Sequence, residues 1–247
     1  MILSTLNHRY IQAVLWDMDG TLLDTETLSD ISIFEALQVD PKLREQLGDR
    51  LPWDIKEPTL GLRGDAWVPM ILDYAQQHFE LTQPLPPWQV FWEKQESILH
   101  DMSDQIQECQ GATALVEQLA ANNIPMCLAT SSRQESVQQK RKHHSTIFRH
   151  MQHIVTGDMI RNAKPHPEIY LHAAELLQVD PQHCLVFEDS VAGAKAGKAA
   201  GCWVVAVPDV RMPNYGPFVG IADEILTDLT QFDAMSWGLM KDDCTMN

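Results

Sequence analysis

Four stretches of this 247-residue chain carry side chains that could do polar chemistry together. They are Asp17-Met18-Asp19-Gly20-Thr21, Thr130-Ser131-Ser132, Lys164-Pro165-His166-Pro167 and Glu188-Asp189. The aspartates at positions 17 and 19 fall on one side of an extended segment, so both carboxylates can reach a single centre. Gly20 behind them lets the chain turn sharply. Singly, each stretch has an ordinary explanation. Asp-Gly after a strand is a common turn, and Thr130 to Ser132 could cap a helix. Lys164 could be a loop lysine ahead of a proline-started helix, and Asp189 or Ser190 could be an N-cap. A calcium loop fits poorly, because its glycine belongs at the sixth position and Gly20 would be fourth. Jointly, the four supply carboxylates, a hydroxyl and a cation. Crowded carboxylates repel unless a cation joins them, and hard oxygen ligands suit Mg²⁺. Such an ion beside a lysine and a hydroxyl makes a site for a transferring phosphoryl group. No Gly-x-x-x-x-Gly-Lys-Ser/Thr loop is present, which leaves attack by a carboxylate on phosphorus.

The elements that must position these groups are read from periodicity. Val14-Leu15-Trp16, an apolar run without a polar break, is a buried strand of a parallel sheet, and ligands gather at the carboxyl ends of such strands. Residues 25–39 carry a helical pattern that stops near Asp40-Pro41. From there to about residue 106 the signals are helical, over 42–47, 69–79 and 86–101, with Asp65 a possible cap. Trp53, Trp67, Trp88 and Trp92 fall in this segment as packing for a small helical unit. From Gly111 strands and helices alternate: strands at 125–130, 154–156, 184–187 and 203–207, helices at 112–122, 133–144, 168–177 and 191–200. That alternation implies a doubly wound α/β parallel sheet, Rossmann-like, interrupted by an all-helical cap. The expected division is a core from 1–24 and 107–247, with the cap over 25–106. Residues 1–9 read as a lead-in and the last dozen or so as a loosely held tail.

The 34 acidic against 18 basic residues give a formal charge of −16 and argue against a nucleic-acid surface. The basic run Lys140-Arg141-Lys142-His143-His144 reads as a solvated helix face. Cys109, Cys127, Cys184, Cys202 and Cys244 are widely spaced and without a Cys-x-x-Cys pair, as expected of free thiols in a reducing compartment. With no signal pattern and no apolar run of membrane-spanning length, a cytoplasmic protein is expected. Expected partners are a small phosphorylated metabolite, no nucleic acid and no membrane, and the expected state is a monomer.

The residues Asp17-Met18-Asp19-Gly20-Thr21, Leu128-Ala129-Thr130-Ser131-Ser132, Lys164-Pro165-His166-Pro167-Glu168 and Phe187-Glu188-Asp189-Ser190 resemble, in order and spacing, the four motifs of the haloacid dehalogenase superfamily. The helical insert resembles the cap of its phosphatase and phosphomutase branch. The resemblance implies that Asp17 is the nucleophile, becomes an aspartyl phosphate and binds Mg²⁺. It implies that Asp19 protonates the leaving oxygen, takes the proton of the attacking water, and offers its backbone carbonyl to the metal. Thr130 and the Ser131 amide would hold phosphoryl oxygens, with Ser132 beside them. Lys164 would neutralise charge, and Asp189 would bind Mg²⁺ with Glu188 assisting directly or from behind. Arg133 lies where relatives touch the distal part of the substrate, and Arg63, in Leu60-Gly61-Leu62-Arg63-Gly64, resembles a cap-loop ligand for the leaving group. Trp16 replaces the family's usual phenylalanine, and Gln110-Gly111 its Pro-Gly at the return from the cap. The reading is a Mg²⁺-dependent phosphomonoesterase acting on a small phosphorylated sugar or nucleoside. Its rivals are a phosphomutase using the same aspartyl phosphate and a catalytically silent binding or regulatory protein, which the intact residue set opposes.

Overall fold

The structure, a computed structural model, describes residues 10–240. Strand β1 (Ala13–Trp16) is buried at every position, which is why it carries no polar residue. A tight turn leads to the short β2 (Leu23–Asp24) and into helix α1 (Glu26–Leu37). Then follow α2 (Pro41–Leu47), α3 (Trp53–Lys56), α4 (Gly64–His78) and α5 (Trp88–Asp101). The chain returns through β3 (Gln107–Glu108), which pairs antiparallel with β2. These two short strands, missed by periodicity because each spans two residues, tie the start and end of the helical block together.

The alternating part runs α6 (Ala112–Ala121), β4 (Met126–Ala129), α7 (Gln134–His143), α8 (Ser145–Phe148), β5 (His153–Val155) and α9 (Glu168–Leu177). It continues with β6 (Cys184–Glu188), α10 (Val191–Ala199), β7 (Trp203–Ala206) and β8 (Glu224–Ile225). The sheet is six-stranded and parallel, in the order β5-β4-β1-β6-β7-β8. The α/β expectation thus holds, with β8 as an edge strand too short to be read from sequence. Because β4 and β6 flank β1, the loops after all three strands leave the same end of the sheet side by side.

One apolar cluster covers one sheet face through Val14, Trp16, Leu128 and Phe187. A second covers the other face through Leu15, Ala129, Val186 and Tyr170. Trp16 stacks on Phe187 with ring centroids 4.3 Å apart, so its larger indole has a partner in the core. A third cluster, built from Ile33, Phe34, Leu37, Val68, Ile71 and Phe91, belongs to the helical block alone.

Two expectations are corrected. The tail is packed as far as it is described: Trp237 and Leu239 are buried in the first cluster, and Trp237 Nε1 donates to Glu224 at 2.6 Å. Apolar burial and a satisfied indole hold that segment, while residues 241–247, with Cys244, and the lead-in 1–9 lie outside the described residues. The basic run is not uniformly solvated. Arg141, Lys142 and His143 are exposed, but Lys140 and His144 are buried. Cys109, Cys127, Cys184 and Cys202 are free thiols.

Candidate functional site

The β1 loop turns immediately after Trp16 because Gly20 takes φ 83°. A side chain there is also barred by space, since a Cβ would lie 2.3 Å from Asp189 Oδ2. Glycine therefore lets the loop after β1 and the loop after β6 press together, and Asp17 and Asp189 meet. Both are buried, at 4% and 1% exposure, as are Lys164 at 2% and Glu188 at 0%. Carboxylate oxygens of Asp17, Glu188 and Asp189 lie within 4.8 Å of one another.

Lys164 Nζ is the hub. It donates to Asp17 Oδ1 at 2.6 Å, to Glu188 Oε1 at 2.6 Å and to the Ala129 carbonyl at 3.1 Å. All three ammonium protons are thereby used. Burial opposes its charge, but the two carboxylates outweigh burial and raise its pKa. Glu188 is filled by protein donors: the Tyr170 hydroxyl also reaches Oε1 at 2.6 Å, and the Ser190 amide and hydroxyl reach Oε2 at 3.2 and 2.8 Å. Its geometry suits holding Lys164 better than ligating an ion. Tyr170 escaped the sequence reading because helix α9 buries it like any core aromatic.

Asp189 Oδ1, by contrast, is buried without a hydrogen-bond partner among the described residues. Such an atom carries a desolvation cost that something must offset. Burial, then the charges of its neighbours, pushes the carboxyl groups of both Asp17 and Asp189 well above the ordinary range, Lys164 notwithstanding. Three carboxylates against one ammonium leave two formal negative charges, which a divalent cation would cancel. The residues therefore fit a hard divalent ion held by Asp17 and Asp189.

The β4 loop supplies the opposite wall. Thr130 is buried and its Oγ1 accepts from the Ser132 amide at 3.1 Å, which leaves the hydroxyl proton to donate. Ser131 Oγ donates to the Gly61 carbonyl at 2.8 Å, so the β4 loop touches the helical block. Ser132 Oγ donates to Asp19 Oδ2 at 2.7 Å. Asp19 Oδ1 accepts from Lys140 Nζ at 2.6 Å. Burial works against ionisation of Asp19, but the Lys140 charge and hydrogen bond, with Ser132 adding, hold its pKa below the usual carboxylate value.

Above these groups lies a cavity of about 110 Å³. Its sheet side is Asp17, Asp19 and residues 130–133; its helical side includes Glu26, Lys56, Trp67, Trp92, Gln95 and Glu96. Trp67 and Trp92 therefore line the cavity as well as packing the block. Arg133 lines it with its guanidinium 3.6 Å from the Trp92 ring centroid. Arg63 does not line it. Its guanidinium pairs with Asp65 at 2.7 Å and donates to the carbonyls of Gly157 and Ile160, each at 3.2 Å, and of Arg161 at 3.4 Å. Asp65, two residues on, turns the side chain away from the place where the motif likeness put it. Gly61, at φ 72°, has no room for a side chain, because a Cβ would lie 2.0 Å from Ser190 Oγ.

Residues 11–201 match the haloacid dehalogenase-like hydrolase family. The chain is 34% identical over 236 residues to a probable pseudouridine-5′-phosphatase of Drosophila melanogaster, covering 94% of this chain and 95% of that protein. It is 31% identical to (DL)-glycerol-3-phosphatase 2 of Arabidopsis thaliana, covering 93% of this chain and 92% of the relative. In fold it is similar to the β-phosphoglucomutase of Clostridium difficile, with TM-score 0.71 at 23% identity, 92% of this chain and 97% of that one being covered. By its family match, its curated phosphatase relatives and its parallel sheet, this chain is an enzyme of the haloacid dehalogenase-like hydrolase family.

Proposed function

We propose that the protein is a Mg²⁺-dependent phosphomonoester hydrolase that works through an aspartyl phosphate on Asp17. The substrate is a small phosphorylated sugar, polyol or nucleoside. The observation that carries this reading is the buried cluster of Asp17, Lys164, Glu188 and Asp189, whose Asp17 lines the cavity together with Thr130. The names of the phosphatases from Drosophila melanogaster and Arabidopsis thaliana support the substrate class.

Asp17, Asp189 and the Asp19 backbone carbonyl would hold Mg²⁺, with Glu188 behind them. The ion would supply charge to offset the phosphoryl oxygens and the crowded carboxylates. Thr130 and the Ser131 amide orient the phosphoryl group towards Asp17. An Asp17 oxygen forms the new bond to phosphorus while the ester P–O bond breaks; Asp19, ionised against Lys140 at rest, takes up a proton from solvent as the substrate binds and gives it to the departing oxygen. Water then attacks the same phosphorus and returns a proton to Asp19, and the Asp17–phosphorus bond breaks to free phosphate. Lys164 keeps Asp17 oriented throughout.

The cations of the cavity bear on hydrolysis against phosphomutation. Lys56 is paired with Glu26 and Asp30, and Lys140 with Asp19, while Arg63 faces other carbonyls. A bisphosphate intermediate needs a second built phosphate site, and among the described cations lining the cavity Arg133, spread over Trp92, is the one without a carboxylate ion pair. The test is phosphate release from a panel of sugar, polyol and nucleoside monophosphates with Mg²⁺. Release from at least one member without any bisphosphate activator is expected. Interconversion of glucose-1-phosphate and glucose-6-phosphate without net release would replace hydrolase by mutase.

A further inference from the structure

Lys140 lies outside the four motifs, in a run of basic residues whose other members Arg141, Lys142 and His143 face solvent. Its own side chain is only 4% exposed, and a buried ammonium is retained only with a partner. That partner is Asp19 Oδ1 at 2.6 Å, a charge-assisted hydrogen bond. Helix α7 explains the placement. It begins directly after the Thr130–Arg133 loop and contains one apolar residue, Val137, which is buried; Lys140 lies three positions on and shares that inward face. The loop and the helix thus deliver Ser132 to one oxygen of Asp19 and Lys140 to the other. With both oxygens anchored, the carboxylate plane is fixed over the cavity.

We infer that Lys140 is a positioning residue for the reaction: held between helix α7 and Asp19, it fixes the carboxylate that handles the leaving-group proton. The inference rests on the hydrolase reading. The Lys140 side chain also borders the cavity, but its ammonium is engaged by Asp19 Oδ1 at 2.6 Å, so we assign it an action through Asp19 whose effect must vanish when Asp19 is gone.

The experiment is a double-mutant cycle of Lys140→Met and Asp19→Ala, read with an alkyl phosphate taken from the substrate panel and with nitrophenyl phosphate. Lys140→Met is expected to lower kcat on the alkyl ester by about 10²-fold, the cost of misplacing a reacting group by an ångström, with KM nearly unchanged. The loss on nitrophenyl phosphate is expected to be much smaller, because that leaving group needs little protonation. Lys140→Arg should recover part of kcat. In the Asp19→Ala background Lys140→Met should cost no more than about twofold, the non-additivity of residues acting as a unit. Full additivity, or equal losses on both esters, would overturn the assignment while leaving the hydrolase reading intact. Absence of turnover on both esters in the wild type would instead remove the hydrolase reading and this inference with it. Lys140→Gln, which keeps a hydrogen-bond donor without the charge, serves the same cycle if the methionine variant does not fold.

Discussion

Asp17, the proposed nucleophile, is a side chain whose placement is costly for stability. It is buried beside two other carboxylates, and its ionised form is opposed by burial before any neighbour is counted. Asp17→Asn removes one of these crowded charges, so the thermal midpoint without metal should hold or rise. Activity should fall by at least about 10⁴-fold, the scale on which loss of a nucleophile registers. Paired melting curves and turnover rates check both halves; a large drop in midpoint would show that Asp17 is structural. Lys164, Asp189 and Thr130 were legible as residues because their types and order form the motifs. Lys140 and Tyr170 were not. Lys140 is 121 positions from Asp19 and sits in a charge run, and only its spacing from Val137 hinted at an inward face. Tyr170 looks like core and is core, with its hydroxyl spent on Glu188.

At the scale of elements, two polar clusters are among the contacts that fasten the helical block to the sheet. The first is the loop at 60–64, where Arg63 grips the carbonyls of Gly157, Ile160 and Arg161, and the Gly61 carbonyl accepts from Ser131. A leaving-group ligand would affect one substrate; a fastening affects them all. Arg63→Ala should therefore raise KM several-fold for both a sugar phosphate and nitrophenyl phosphate, and amide exchange should quicken at 60–64 and 157–161. An effect confined to the sugar phosphate would return Arg63 to the role its motif suggested. Sequence could name the loop but not the side chain's direction, because Asp65 decides it.

The second fastening is ionic. Lys56 pairs with Glu26 at 2.5 Å and Asp30 at 2.7 Å, and Arg211, after β7, reaches Asp30 at 2.9 Å. Burial opposes the Lys56 charge, but Glu26 and Asp30 outweigh it, so its pKa lies above the ordinary 10.5. A raised lysine pKa gives stability that is complete below the unfolded value and is lost as pH rises through the folded one. Lys56→Met should destabilise by about 3 kcal/mol at neutral pH, because the half-buried Glu26 loses its cation and the buried Asp30 keeps only Arg211. The gap to wild type should stay flat through neutral pH and narrow in strongly alkaline solution. Denaturant titrations at several pH values measure it; a gap that widens with pH would contradict the pairing.

For the whole molecule, the sheet order was legible in outline because buried parallel strands are short apolar runs between helices. The pieces that escaped, β2, β3, β8 and the packing of Trp237, are two-residue strands or a single aromatic, too short for periodicity. The assembled loops leave a negative, desolvated pocket, and that links ligand binding to global stability. Mg²⁺ at about 100 times its dissociation constant should add about 2.7 kcal/mol. In a chain of this size that is a rise of about 5–10 °C in the melting midpoint. Chelation should reverse the rise, and Asp189→Ala should abolish it. A midpoint indifferent to Mg²⁺ in wild type would mean that the carboxylates hold no such ion.

The most direct measurement is acid quench of the enzyme during turnover of a phosphorus-labelled ester, followed by mapping of the labelled peptide. We expect a hydroxylamine-sensitive acyl phosphate on Asp17 that disappears in Asp17→Asn. Steady phosphate release with no label on Asp17, or label retained in Asp17→Asn, would contradict covalent catalysis by this residue.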